Sequence, residues 1–303
     1  MRFHMACNVY FRILPLMFPL ALLFFSTPVF AEWTPLIQRL VTDKFDEQTI
    51  KNLFAQPGVK FDPDIMSSKL RELIHNRSKR PDALYAHKIR TAYARFLTHE
   101  AIAEAHSYVQ RNSASLEKIE KDYCVSKEIV VAIMLVETDL GQNLGTRGAF
   151  NTLASMALSS DLEIILPNLA PNLVTEKNEA FARKRCRQKA DWAYTELKAL
   201  ITYASEGGIN PLSIPGSLYG AIGLCQFMPS QISAYGVDAD KDGRINLFSE
   251  QDALYSVANY LRAHGWKCGM SSKRKYRVIR AYNNSKIYAN TVLGVAERLK
   301  RKG

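Results

Sequence analysis

Residues 129–136 are apolar without a break, so any helix they form has no face to offer water and must lie between other helices; no other segment narrows the possible folds as much. Ser126 suits the N-cap of that helix and Glu128 its first turn, while Gly141 and Gly145 permit the chain to turn away after it. Strand signals are scarce, whereas apolar residues recur at helical spacing through 45–54, 65–74 and 88–108. A further helix is expected after Ser249, where Ser249, Glu250, Gln251 and Asp252 fit a capping box, running through Leu254, Val257, Ala258 and Leu261 to a stop near Gly265. A basic helix is expected around 182–203. The Gly-rich, Pro-punctuated stretch 207–229 reads as the kind of loop that lines a site. Segments 56–64 and 76–81 read as loops too short to separate domains. The expected fold is mainly α, with residues 32–110 forming an N-terminal helical region packed on a larger unit, 111–303.

At 303 residues and 47% hydrophobic, the chain can bury a sizeable core. Its first 31 residues stand apart. Arg2 and Arg12 flank the start, the run 13–25 is almost wholly apolar, and Val29, Phe30 and Ala31 supply a signal-peptidase ending, so 1–31 is read as a cleaved export signal. The run is shorter than the roughly 20 residues a bilayer requires and contains Pro15 and Pro19, which disfavours a retained anchor. Cys7 precedes the run instead of following it, which disfavours lipid attachment. The mature chain is thus expected to be soluble and periplasmic, with no transmembrane anchor after cleavage. Its formal charge falls from +11 to +9 when Arg2 and Arg12 leave. That balance suits an anionic partner, for an exported protein the cell wall or an acidic membrane surface; no RNA-binding signature or zinc-finger spacing points to nucleic acid. Cys124, Cys186, Cys225 and Cys268 permit one or two disulfides, and the sequence leaves their pairing open, with a buried free thiol an equal reading for Cys225.

The chemistry-bearing residue that stands out is Glu137, directly after the apolar run. A carboxyl at the end of a buried helix is partly desolvated, which disfavours its charged form and lifts its pKa toward that of a useful general acid. Taken alone, such a Glu is more often an ion-pair partner of a Lys or Arg. Asp139, two residues on, points to the other side of the helix and is a poor second acid.

Three segments in order make the pattern more specific. Val136-Glu137-Thr138-Asp139-Leu140-Gly141, then Gly216-Ser217-Leu218-Tyr219-Gly220-Ala221-Ile222-Gly223-Leu224-Cys225-Gln226-Phe227-Met228-Pro229-Ser230, then Ala281-Tyr282-Asn283-Asn284-Ser285 with Tyr288 resemble the successive motifs of the membrane-bound lytic transglycosylase B family of murein-degrading enzymes. The resemblance extends through 249–266 and, more loosely, through Phe96, Leu97 and Thr98 and the helices before them. It implies a lysozyme-like helical core that cleaves the β-1,4 bond between N-acetylmuramic acid and N-acetylglucosamine in peptidoglycan without water, leaving a 1,6-anhydromuramoyl end. Glu137 would serve first as acid and then as base, with no cofactor needed for the chemistry. The same carry-over gives Gln226 a hydrogen bond to the sugar and Ser217 one near the developing charge. Tyr282 and Tyr288 would hold Glu137 and the sugar rings, Asn283 would fix the turn between them, and Phe227 would line or underlie the groove. A hydrolytic muramidase and a non-catalytic wall-binding protein of the same fold are the rival readings.

Residues 238–246 resemble the first nine positions of an EF-hand calcium loop, with Asp238, Asp240 and Asp242 at places one, three and five, Gly243 at six and Arg244 at seven. Ser249 replaces the usual Glu at place twelve. In the family the missing ligand comes from a later acid that aligns with Asp252, which the capping-box reading also claims. A structural Ca2+ held weakly at 238–252 is expected. One departure is Gln188-Lys189 where family members often carry two arginines, so Arg185, Arg187 and Lys189 are left outside the site.

Overall fold

The computed structural model describes residues 30–77 and 83–301; the expected export signal lies, up to residue 29, outside the described residues. The first helices are α1 (Phe30–Thr42), α2 (Glu47–Phe54) and α3 (Pro63–Arg77), followed by α4 (Ala83–Ala94), α5 (His99–Arg111) and α6 (Ser113–Tyr123). Next come α7 (Lys127–Thr138), α8 (Ala149–Leu158), the single turn α9 (Leu162–Ile165) and the long α10 (Glu179–Gly207). The chain ends in α11 (Pro229–Tyr235), α12 (Glu250–Ala263), α13 (Ser272–Tyr282) and α14 (Lys286–Arg301). Among the described residues the only strands are the two-residue β1 (Arg147–Gly148) and β2 (Pro215–Gly216).

The unbroken apolar run behaves as its composition requires. Val130 to Leu135 in α7 are each 0% exposed, because α5, α6, α12 and α14 pack around this helix. A second buried helix, α8, lies against α10, and both helices join one continuous core to which Trp33 and Phe54 of the N-terminal helices belong. Trp33 packs on Phe54 and Phe54 on Phe150 of α8, with ring centroids 5.3 and 5.2 Å apart.

Four local expectations are corrected. The 88–108 periodicity is not one helix: a 3-10 turn at Arg95–Leu97 separates α4 from α5, and Thr98 Oγ1 caps α5 by accepting the Ala101 N–H at 3.3 Å. Pro63 begins α3 instead of belonging to a loop, since a first-turn Pro lacks only an N–H that has no helical partner; Asp62 Oδ1 accepts the Asp64 N–H at 3.0 Å. Ser126 stands at the N-cap of α7, yet its buried hydroxyl makes no capping bond. Ser249 likewise stands at the N-cap of α12 without a side-chain bond, and the Asp252 carboxylate is turned into the preceding loop instead of back to Ser249.

Of the open cysteine pairings, the fold brings Cys124 and Cys268 together as a disulfide, Cα atoms 5.0 Å apart, between the end of α6 and the α12–α13 connection. Cys186 and Cys225 are buried free thiols.

Candidate active site

Glu137 sits in the last turn of α7, and the residues just after it reverse the chain: Asp139 and Leu140 take the left-handed conformation at φ 55° and 57°, followed by Gly141 at 97°. Thr138 is the joint between this end and the 207–229 loop. Its Oγ1 donates to the Leu224 carbonyl at 2.8 Å and accepts the Gly141 N–H at 3.1 Å. The loop is folded back on β1 by a small set of rungs, Arg147 opposite Gly216, Gly216 opposite Ile222 and Ile222 opposite Phe227. Close approach at Gly145 makes this possible, for a Cβ there would stand 2.1 Å from the Gly216 carbonyl oxygen.

Around Glu137 the third motif closes the wall. Tyr282, the last residue of α13, donates its hydroxyl to the Cys225 carbonyl at 2.6 Å and packs against Phe227 and Tyr260 at 5.9 and 4.8 Å. Tyr288 of α14 lies parallel to it at 6.4 Å. The buried Tyr288 hydroxyl has no partner of good hydrogen-bond geometry, and its strongest charged neighbour is Glu137. Burial raises the Glu137 carboxyl from 4.5 to about 7, offset in part by the Tyr288 hydroxyl. Among the described residues no cation and no second carboxylate contributes to that shift, and no ion pair involves Glu137.

The remaining candidates differ in burial and in the partners they hold. Gln226 is half-buried in the left-handed conformation, φ 50°, and its Nε2 donates to the Gly223 carbonyl at 3.0 Å, leaving its side-chain oxygen without an intramolecular role. Ser217 Oγ accepts the Ala221 N–H at 3.0 Å and so braces the turn, which leaves its own proton to donate. Asn283 is the C-cap residue of α13, and its carbonyl accepts the Ser285 N–H at 2.7 Å, forming the turn between the two tyrosines. Phe227 is 1% exposed, so it supports Tyr282 from behind and has no surface for a sugar.

Two residues escaped the sequence reading. Tyr93 of α4 has its pKa raised chiefly by burial and then by the charge of Glu137, so it feels the acid from the N-terminal part of the chain. Only the helical period of its segment was legible there, and a tyrosine at such spacing is usually core. Glu196 of α10, 4% exposed, accepts both the Ser230 N–H and hydroxyl at 2.9 Å and so anchors the end of the second motif.

The acidic loop forms a separate cluster. Carboxylate oxygens of Asp238, Asp240 and Asp252 all lie within 4.8 Å of one another. Asp252 is 1% exposed and accepts the N–H groups of Ala239 and Asn246 at 2.9 and 2.7 Å; two main-chain donors outweigh the single N-cap donor of the capping-box reading. Asp238 Oδ1 is buried without a partner. Asp242 is not among the converging carboxylates; its Oδ1 accepts the Arg244 N–H at 2.8 Å, and the Arg244 guanidinium is turned away to the Gly207 carbonyl at 3.0 Å.

A family model described as Transglycosylase SLT domain matches residues 30–275. Membrane-bound lytic murein transglycosylase B of Escherichia coli (strain K12) is 30% identical over 175 residues, a match spanning 58% of this chain but only 41% of that relative. Among solved structures, soluble lytic transglycosylase SltB1 from Pseudomonas aeruginosa superposes with a TM-score of 0.68 at 23% identity, covering 88% of this chain and 98% of the other. The Escherichia coli lytic transglycosylase SLT35 in complex with calcium does so at 0.67 and 21%, covering 89% and 93%. These structures share the mainly α, lysozyme-like fold, and with the family model spanning most of its length this chain belongs to the transglycosylase SLT domain family.

Proposed function

We propose that the protein is a periplasmic lytic transglycosylase, released from an export signal at residues 1–31, in which residues 111–303 carry the catalytic core and 32–110 pack against it. The substrate is the MurNAc-β-1,4-GlcNAc bond of peptidoglycan strands. The observation that carries this reading is a buried carboxyl with its pKa lifted to about 7 and, among the described residues, no second carboxylate acting on it. Enzymes that hydrolyse glycosides normally use two carboxyl groups flanking the bond. One suffices if the nucleophile belongs to the sugar. Protonated Glu137 gives its proton to the glycosidic oxygen as the C1–O bond breaks, and the resulting carboxylate takes the proton of the muramoyl C6 hydroxyl as that oxygen bonds to C1. No water enters, and Glu137 ends protonated as it began. Gln226 and Ser217 have the donors and acceptors to hold the sugar near the developing charge, Tyr288 and Tyr282 orient the acid, and Asn283 sets the spacing between them. Mass spectrometry of fragments released from purified peptidoglycan tests the reading: anhydromuropeptides are expected, whereas reducing ends mean a hydrolase and no release a wall-binding protein.

Asp238, Asp240 and Asp252 fit a hard cation, since three carboxylates converge and Asp238 Oδ1 is buried without a donor. We assign them to a structural Ca2+, with Arg244 able to contribute only its main-chain carbonyl and Asp242 placed outside. The fold relative SLT35, solved with calcium, supports the choice of ion. Without the bidentate Glu, a dissociation constant of about 10⁻⁴–10⁻³ M is expected, so ~10 mM calcium stabilises the fold by about 2 kcal/mol. Melting is expected about 5 °C higher in calcium than in chelator, and identical curves would remove the metal from the account.

A further inference from the structure

Charge is unevenly spread along this chain. Between Asp252 and Glu297 there is no acid, while eight Lys and Arg residues fall between Arg262 and Lys286. Helix α13 opens with exposed Lys273 and Arg274 and has no acid in its first turn. The positive end of the helix dipole disfavours cations, so the arrangement opposes the helix that carries it. A local choice made against stability, with no compensating contact, marks a surface kept for another purpose.

Beside that turn lies an open cavity of about 410 Å³ lined by His264, Lys267, Met270, Arg274, Arg277 and Val278. Lys267, Arg274 and Arg277 are exposed, and among the described residues no ion pair engages them. A few cations elsewhere do have carboxylate partners: Arg183 pairs with Glu163 and Glu179, Lys198 with Asp43 and Arg147 with Asp62. The mount is firm as well. The Cys124–Cys268 disulfide ties down the connection before α13, Trp266 Nε1 donates to the Cys124 carbonyl at 2.9 Å, and Lys275 lies 5.7 Å from the Trp266 ring. The backbone that carries the cations is therefore held in place, which lowers the entropy lost on binding.

We propose that the face around Lys267, Arg274 and Arg277 is a secondary binding surface for the anionic peptide stems of peptidoglycan, outside the cleavage site. The inference rests on the peptidoglycan reading above and extends it to a carboxylate-bearing part of the substrate that bond cleavage does not use. Guanidinium forks match carboxylates in geometry as well as charge. The surface also shares a helix with the site: Tyr282 ends α13, and its first turn lies about 15 Å away at 1.5 Å per residue, so one extended polymer reaches both. A lipid surface fits less well, because basic faces that dock on membranes add apolar anchors. The large exposed apolar side chains among the described residues, Ile164, Leu166 and Leu218, lie outside this face.

The test measures retention of the full mature chain on purified sacculi, in a Glu137→Gln background so that the substrate survives. Intact sacculi are compared with sacculi stripped of peptide by an amidase, across a salt series. Combined Lys267→Gln, Arg274→Gln and Arg277→Gln substitutions are expected to weaken retention on intact sacculi about tenfold and flatten its salt dependence, leaving retention on peptide-free glycan unchanged. Arg274→Lys with Arg277→Lys keeps the charge but loses the guanidinium fork, so it should keep the salt dependence and recover only part of the binding, and a melting curve for each variant separates surface loss from unfolding. Equal losses on both substrates, or none, overturn the proposal. So does loss confined to vesicles of anionic phospholipid. A wild type that cleaves nothing, paired with a selective loss on intact sacculi, would remove the catalytic reading and leave the surface standing.

Discussion

Glu137→Gln is expected to abolish the release of soluble fragments from peptidoglycan, a loss of about 10³-fold or more, while the protein stays folded. Near neutral pH a carboxyl with a pKa of about 7 is to a large extent already a neutral group of the same shape as the amide, so the substitution removes the transferable proton and little else. Full activity in this variant would mean that another group protonates the leaving oxygen. In the wild type, the acid step needs the protonated form, so cleavage is expected to fall as pH rises above about 7.

The same shift fixes the sign of a stability effect. A carboxyl whose folded pKa of about 7 lies above its unfolded 4.5 binds more protons folded than unfolded, so stability is lost as pH rises through that window. Glu137→Gln escapes the cost. Relative to wild type, the variant should gain about 2–3 kcal/mol on going from pH 5 to pH 8, read as a difference in melting temperature between the two enzymes at each pH. An unchanged difference would place Glu137 in a more watery setting than its surroundings suggest.

What the sequence made legible here follows from how local each signal is. The α7 helix was readable because eight apolar residues in a row admit only burial, and Glu137 because it ends that run. The break between α4 and α5 was obscured, since the apolar period continues across a 3-10 turn and only Thr98, an ordinary capping residue, marks the change. Asp252 shows the limit of motif reading: two motifs claimed one side chain, and the contest was settled by main-chain donors of Ala239 and Asn246, whose positions depend on how the loop closes. Phe227 and Gln226 are neighbours in one motif, yet one is buried behind the wall and the other stands in it, because Gln226 adopts the left-handed conformation and reverses the side on which the next residue lies. Tyr93 and Glu196 act across long sequence distances, where no pattern in one chain can announce a partner.

Gly223→Ala should destabilise the protein by about 2–5 kcal/mol and lower its melting temperature by about 5–15 °C. Gly223 has φ +75°, where a side chain is strained, and its added Cβ would stand 2.5 Å from Leu247 Cβ and 2.7 Å from the Leu247 carbonyl oxygen. Neither neighbour can give way: Leu247 is 0% exposed, and its carbonyl accepts the Leu224 N–H at 2.8 Å. The loop must therefore move, and the Gly223 carbonyl that holds Gln226 and the Cys225 carbonyl that holds Tyr282 move with it. Activity of the folded fraction should fall at least about tenfold, since misplacement by a fraction of an ångström is enough to uncouple an oriented acid from its bond. Gly265→Ala separates the causes, because that glycine has φ +94° but nothing within 4 Å of the added Cβ. It should show only the backbone penalty of about 1–2 kcal/mol and near-normal activity. If both variants melt alike, the close contact with Leu247 is not what holds the loop; if only Gly223→Ala loses activity, the packing of one glycine against one buried leucine sets the geometry of the Glu137 site.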